Sequence, residues 1–290
     1  MTEPIEYPPL PEALTVGVYD NHTHLEPVST GSTSEWPTLT YQEHLDRASA
    51  VGVRGVVQVG NDLESSRWSV EIAAREPRVL AAVALHPNDA AIIDDLDAAL
   101  AEIDELAARP RVRAIGETGL DFFRTPEGPG RDAQFRSFEA HIDMAKRHDL
   151  ALQIHDRDAH SDVIATLLRV GAPSRTVFHC FSGDAEMARL CADNGWYLSF
   201  AGTVTFKNAP HLREALEVIP RARILIETDA PYLTPHPLRG RPNSPYLLPY
   251  TLRAMAAHLE TDVTMLAAQV STNTEDVYGR WDAEPVVVLD

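Results

Sequence analysis

Lysine is nearly absent from this 290-residue chain: Lys146 and Lys207 are the only two, and every other basic residue is arginine. The 25 basic residues face 43 acidic ones, for a formal net charge of −18. A broad docking surface for nucleic acid or anionic membrane is basic, so this balance disfavours one. A polyanionic substrate has to be met by a local pocket, a metal, or both. Cysteine is just as scarce. Cys180 and Cys191, with no C-x-x-C pair, cannot build a disulfide framework or a thiolate zinc site, and they fit a reducing interior. Cys180 follows His179 in an apolar run, so strand alternation predicts that it packs in the core. No window is long and apolar enough to span a bilayer, and Met1-Thr2-Glu3-Pro4 lacks the basic-then-apolar pattern of a secretory signal. A cytoplasmic protein with no membrane partner is expected.

What the chain does have is alternation. Short apolar runs occur at Leu14 to Tyr19, Val53 to Val59, Val79 to Leu85, Val112 to Ile115, Ala151 to Ile154, Thr176 to Phe178, Tyr197 to Phe200 and Ile224 to Ile226. Between them lie amphipathic stretches of helical period, at Tyr41 to Ala50, Ser65 to Arg75, Ala90 to Ala108, Arg131 to His148, Ala159 to Val170, Ala185 to Asn194 and Pro210 to Val218. Continuous apolar strands joined by helices are the signature of a buried parallel sheet. The pattern therefore predicts an α/β fold, a single (β/α)8 TIM barrel over residues 13–282, with a doubly wound sheet as the alternative. Residues 1–12 read as an extended, proline-bearing N-terminal arm and 283–290 as a C-terminal tail. Glu26 to Thr40 and the proline-rich Pro231 to Pro249 are long loops after the first and eighth strands, and Tyr250 to Leu259 and Val263 to Val270 read as closing helices.

The chemistry-bearing residues collect at the ends of those strands. His22 and His24 end the first; in an extended segment residues i and i+2 share a face, so both imidazoles can reach one point. Glu117 ends strand four, His155 strand five, His179 strand six and Asp229 strand eight. These are the positions at which barrel active sites are built. Four imidazoles and two carboxylates supply enough donors for two divalent ions about 3.5–4 Å apart, with Glu117 placed to bridge them. A carboxylate at a buried strand end needs a cation or a hydrogen-bond network to compensate it. Asp20 and Glu227 share strand faces with His22 and Asp229, and together with Asp121 they are placed to orient ligand imidazoles, or else to form internal salt bridges, for instance with Arg113. His44, His141, His148, His160, His211 and His258 lie in helical patterns and read as surface residues.

These segments resemble the TatD-like metal-dependent hydrolases, a branch of the amidohydrolase superfamily. The resemblance rests on Asp20-Asn21-His22-Thr23-His24-Leu25, Gly116-Glu117-Thr118-Gly119-Leu120-Asp121, Ile154-His155-Asp156-Arg157-Asp158-Ala159, His179-Cys180-Phe181-Ser182-Gly183 and Glu227-Thr228-Asp229-Ala230-Pro231-Tyr232-Leu233. Phe200 to Asn208 and Arg239 to Pro245 are also similar, and the matches run in family order from about residue 16 to 280. The resemblance implies two divalent cations, magnesium first with zinc or manganese as alternatives. One would be held by His22, His24, Glu117 and Asp229, the other by Glu117, His155 and His179. It also implies deoxyribonuclease activity. Glu26, where aspartate or asparagine is common, and Asp156, where a small residue is common, depart from the pattern, and Glu26 to Thr40 looks like an insertion.

The resulting expectation is a hydrolase in which a metal-activated water attacks phosphorus while Asp229 takes or relays its proton. His86, Arg157, Lys207, Arg239, Arg241 and Asn243 are candidates for holding substrate. With so few cations, DNA is expected to be gripped through few phosphates, in an exonuclease-like manner. Two rivals share these residues: hydrolysis of an ester or amide, such as a lactone or an aminoacyl-tRNA, and a metal-holding partner without turnover in nucleic-acid quality control.

Overall fold

The computed structural model describes residues 6–26 and 38–281. Most of the Glu26 to Thr40 loop, the start of the N-terminal arm and the C-terminal tail lie outside them. In chain order the elements are β1 (Val18–Thr23), α1 (Tyr41–Ala50), β2 (Val53–Val59), α2 (Leu63–Arg75), β3 (Val79–Val83), α3 (Pro87–Ala90), α4 (Leu96–Ala107), β4 (Val112–Asp121), α5 (Pro129–Arg147), β5 (Ala151–Arg157), α6 (His160–Val170), β6 (Thr176–Phe178), α7 (Ala185–Asp193), β7 (Tyr197–Phe200), α8 (Pro210–Val218), β8 (Ile224–Ile226), α9 (Leu248–His258) and α10 (Val263–Tyr278). The strands form one eight-stranded sheet in sequence order, β1 through β8. That order, with a helix after each strand, is the topology of a (β/α)8 barrel.

Four strands, β2, β6, β7 and β8, have the bounds their apolar runs predict. The others depart from hydropathy. Instead of Leu14 to Tyr19, β1 spans Val18–Thr23 and is wholly buried, carrying Asp20, Asn21 and His22 inside. Its polar groups are satisfied in place: the Asn21 side-chain amide donates to Ser199 Oγ at 2.7 Å and to the Ile226 carbonyl at 2.6 Å. β4 continues past Ile115 to Asp121, and β5 past Ile154 to Arg157. The single expected helix Ala90 to Ala108 is two, because Asp95 caps α4 by accepting from the Ala98 N–H.

The chain divides into two compact units. One comprises residues 1–57, 183–194 and 198–274, and its core holds Val18, Val56, Leu198, Phe200, Ile224, Ile226, Leu248, Leu252 and Met255. The described part of the N-terminal arm packs within it: Tyr246 Oη donates to the Pro8 carbonyl, and Arg253 donates to the Glu12 carbonyl at 2.7 Å. The other comprises 58–182, 195–197 and 275–290, and is centred on Val83, Ile103, Ile115, Phe138, Ile142 and Leu167. Here β3 to β6 pair in parallel, with Ala81 opposite Val112, Ala114 opposite Ala151 and Leu152 opposite Thr176.

Two histidines expected at the surface are in the interior. His141 is fully buried on α5: its Nε2 accepts from the Leu85 N–H at 3.2 Å and its Nδ1 lies 2.7 Å from the Ser137 carbonyl. Burial lowers its pKa to about 4, so it is a neutral structural residue. His44, buried on α1, is lowered to about 4 in the same way and pairs with Ser244 Oγ at 2.7 Å. Helical period reports which face a residue lies on, not what covers that face. Cys180 is a third correction: β6 ends at Phe178, and Cys180 sits in a half-buried turn at φ 39°.

Candidate metal centre

In the first unit, backbone hydrogen bonds fasten the end of β1 to the segment after β8. The Asp229 N–H donates to the His22 carbonyl at 3.0 Å, and the His24 N–H to the Ala230 carbonyl at 2.8 Å. Asp229 itself has φ 53°, a left-handed backbone that aspartate tolerates better than most residues and that is common where a site dictates side-chain direction. Its Oδ1 then lies 3.8 Å from His22 Nε2 and 3.7 Å from His24 Nε2. The two imidazoles meet edge to face, with centroids 5.2 Å apart. These separations are too long for hydrogen bonds. They suit donor atoms facing one cation, since ligands at about 2.0–2.2 Å from an ion stand about 3–3.5 Å from each other. All three residues are at least largely buried, so the donor set fits a divalent ion.

Asp20 supports this cluster through Thr228, not through a ligand ring. Its carboxylate accepts from the Thr228 N–H at 2.9 Å, the Thr228 hydroxyl and the His22 N–H at 3.3 Å, fixing the turn that presents Asp229. Complete burial pushes the Asp20 pKa up to about 8 against those hydrogen bonds.

In the second unit, a shift in β4–β5 register between Ile115 and Thr118 accompanies Glu117. Beyond it Gly119, at φ 142°, lies so close to the His155 carbonyl that any Cβ would collide with it. Glu117 Oε1 faces three imidazoles: His155 Nδ1 at 2.6 Å, His179 Nε2 at 2.9 Å and His86 Nε2 at 3.5 Å. Burial acts to raise the Glu117 pKa, but His179, His86 and His155 together hold it well below the usual carboxylate range. The other ring nitrogen of His155 lies 3.3 Å from Asp121 Oδ2. Burial opposes protonation of His155, yet its bonds to Asp121 and Glu117 raise its pKa. Asp121 is thus in contact with the imidazole of His155, one of the candidate ligands. It is fixed in turn by the Arg124 N–H at 2.9 Å and by Asn88 Nδ2 at 3.1 Å, while its own N–H donates to Gln134 at 3.0 Å. Sequence reading missed Asn88 and Gln134, although Asn88 lies two residues after His86 at the start of a helix. Arg113, the alternative partner for these carboxylates, donates to the Val112 carbonyl at 2.9 Å.

Of the six candidate ligands, His22, His24 and Asp229 belong to the first unit and Glu117, His155 and His179 to the second. The substrate candidates divide differently. His86 belongs to the Glu117 group: its Nδ1 accepts from the Asn88 N–H at 3.1 Å, so a neutral ring carries its proton on Nε2, facing Glu117. Burial lowers its pKa, which favours that neutral form. His86 is set up as a hydrogen-bond donor. Arg157 is exposed, its guanidinium 3.9 Å from the Phe123 ring centroid, and the exposed Arg239 lies likewise over Phe206 at 4.1 Å. Lys207 and Arg241 are exposed on the loops after β7 and β8. Asn243 is different. It is fully buried, with its amide donating to the carbonyls of Thr228 and Tyr232, which leaves no amide hydrogen for a substrate and makes it a brace for the Asp229 loop.

Imidazoles and carboxylates gathered at the strand ends of a (β/α)8 scaffold are a donor set that metal-dependent hydrolases use. Within that class, residues 19–279 match the family described as TatD related DNase, and the chain belongs to that family. It is 46% identical over 267 residues to an "uncharacterized metal-dependent hydrolase TatD" from Mycobacterium tuberculosis, covering 90% of this chain and 97% of that protein. It is 38% identical over 244 residues to the "3'-5' ssDNA/RNA exonuclease TatD" of Escherichia fergusonii, covering 80% and 90%. Among solved structures, YJJV, a TatD homolog from Escherichia coli K12, superposes with a TM-score of 0.81 at 24% identity, covering 91% of this chain and 98% of that one. No helix among the described residues is long and apolar enough to cross a membrane.

Proposed function

We propose that the protein is a cytoplasmic nuclease that hydrolyses phosphodiester bonds of single-stranded DNA from a strand end. The observation that carries this reading is the Asp229 carboxylate, held by strained backbone between two buried imidazoles at distances that leave room for a cation. The likeness to a relative named as a 3'-5' ssDNA/RNA exonuclease supports the substrate class.

His22, His24 and Asp229 would hold one divalent cation, and Glu117, His155 and His179 a second, with magnesium the leading choice and zinc or manganese the alternatives. Bound there, such cations lower the pKa of water and neutralise charge on a phosphate. Asp229 Oδ is the acceptor for the proton released as water attacks. Asp121 holds the His155 ring in place, and His86 Nε2–H donates toward anionic oxygen. Arg157, Lys207, Arg239 and Arg241 offer charge for only a few phosphates, which suits engagement at an end better than along a groove.

The test is a product ladder from the magnesium- or manganese-supplemented protein on linear and closed circular DNA, with aminoacyl-tRNA and lactones assayed in parallel. Stepwise shortening of linear strands, with circles untouched and a salt slope of about two to three for binding, is expected. Rapid cutting of circles would overturn the end-binding reading. Turnover confined to aminoacyl-tRNA or lactones would overturn the nuclease reading while leaving a hydrolase.

A further inference from the structure

Phe123 is a large apolar side chain that the fold keeps in solvent. It is 62% exposed, although the Arg157 guanidinium already lies over the ring at 3.9 Å. Isolated exposed aromatics are ordinary, but this one is fixed on both sides. The preceding Phe122 donates its N–H to the Arg157 carbonyl at 2.9 Å and packs inward, between Arg131 at 3.9 Å and Phe135 at 6.2 Å. The following Arg124 donates its N–H to Asp121. The loop from Asp121 to Arg124 is therefore anchored at each end, and its tip presents one aromatic face.

The anchor is the Glu117 cluster itself. Asp121 is the register partner of Arg157 across β4 and β5, and its carboxylate holds His155. His155 and Arg157 stand at i and i+2 on β5, hence on one face of the strand. Among the described residues Arg157 forms no ion pair, although acidic residues outnumber basic ones in this chain. Its charge remains available to a phosphate, and its plane and the Phe123 ring to a base. Aromatic rings and arginine planes beside a backbone-binding cation are what proteins use to hold single strands without reading sequence.

We propose that Phe123, held by Arg157, is a stacking platform for one nucleobase of a single-stranded substrate, at a fixed distance along the strand from the bond cleaved at the metal centre. The proposal rests on the nuclease reading above and adds a residue that sets strand preference. Because stacking is indifferent to base identity, the platform favours unpaired over duplex ends without sequence preference.

The experiment places 2-aminopurine at successive positions of short single strands and measures fluorescence quenching and affinity on manganese-supplemented Asp229→Asn protein, with Phe123 intact or changed to Ala or Trp. Metal content is checked in each variant. Quenching at one position is expected. Phe123→Ala should abolish it and weaken binding about 5- to 150-fold, while Phe123→Trp retains both. An abasic site at the same position should weaken binding to Phe123 protein and make little difference to Phe123→Ala. Strands that bind equally well to Phe123→Ala, with the same quenching, would overturn the platform while leaving the nuclease reading in place. Failure of any single strand to bind the Phe123 protein would overturn both.

Discussion

The two donor clusters use the same residue types in opposite ways. Around Asp229 the imidazole nitrogens stand 3.7 and 3.8 Å from the carboxylate. Around Glu117 two imidazoles close onto one carboxylate oxygen at 2.6 and 2.9 Å, and His155 is clamped from its other nitrogen by Asp121. In the first, the donors stand at separations that ligands of one cation would have. In the second, the imidazoles of His155 and His179 lie within hydrogen-bond distance of the buried carboxylate. A cation bound at the second cluster would compete with a proton for the His155 ring, whose pKa is raised.

The largest effect is expected at the open cluster. Asp229→Asn preserves an oxygen donor but removes the basic carboxylate, so turnover should fall roughly 10²- to 10⁴-fold while circular dichroism and cation content stay close to wild type. Near-normal turnover in that variant would mean that another group handles the proton. A smaller effect is expected at the closed cluster. Asp121→Asn leaves the ligands in place but frees the His155 ring, and about a 10- to 100-fold loss of cation affinity should follow, read by competition with a metallochromic dye. Unchanged affinity would show that the clamp is incidental.

The third expectation concerns pH. His155 binds a cation only when neutral, and its pKa is raised, so affinity at this cluster should decline as pH falls through that raised value, by up to about tenfold per unit for each proton displaced. In cation-free protein the sign reverses: the protonated ring stabilises the fold below the unfolded-state pKa, and that contribution is lost as pH rises through the folded value. Thermal midpoints of the cation-free protein across pH 5–9 check this, with Asp121→Asn predicted to flatten the trend. A midpoint that rose with pH, followed by no change in Asp121→Asn, would remove His155 from the account.

Much of this architecture was legible in residue order because buried parallel strands are dominated by apolar residues, and β2, β6, β7 and β8 are, with only Arg54, Gln58, Thr176 and Ser199 as strongly polar members. Reading faltered where function puts polar groups into strands. β1 begins later than its apolar run because Asp20, Asn21 and His22 are inside, and β4 extends past Ile115 because Glu117, Thr118 and Asp121 find partners there. The six donors were visible as strand-end residues, but spacing along the chain carries no information about which nitrogen faces which oxygen. The commitment of Asn243 to its own loop, the proton on His86 Nε2 and the burial of His141 all depend on neighbours distant in sequence.

The most direct test of a two-cluster metal centre is cation stoichiometry. Manganese bound per chain should be measured by equilibrium dialysis with elemental analysis, for wild type, His24→Ala and His179→Ala. Two cations in the wild type and about one in each variant are predicted, one cluster being disabled at a time. A single cation in the wild type, or two retained in either variant, would contradict the account.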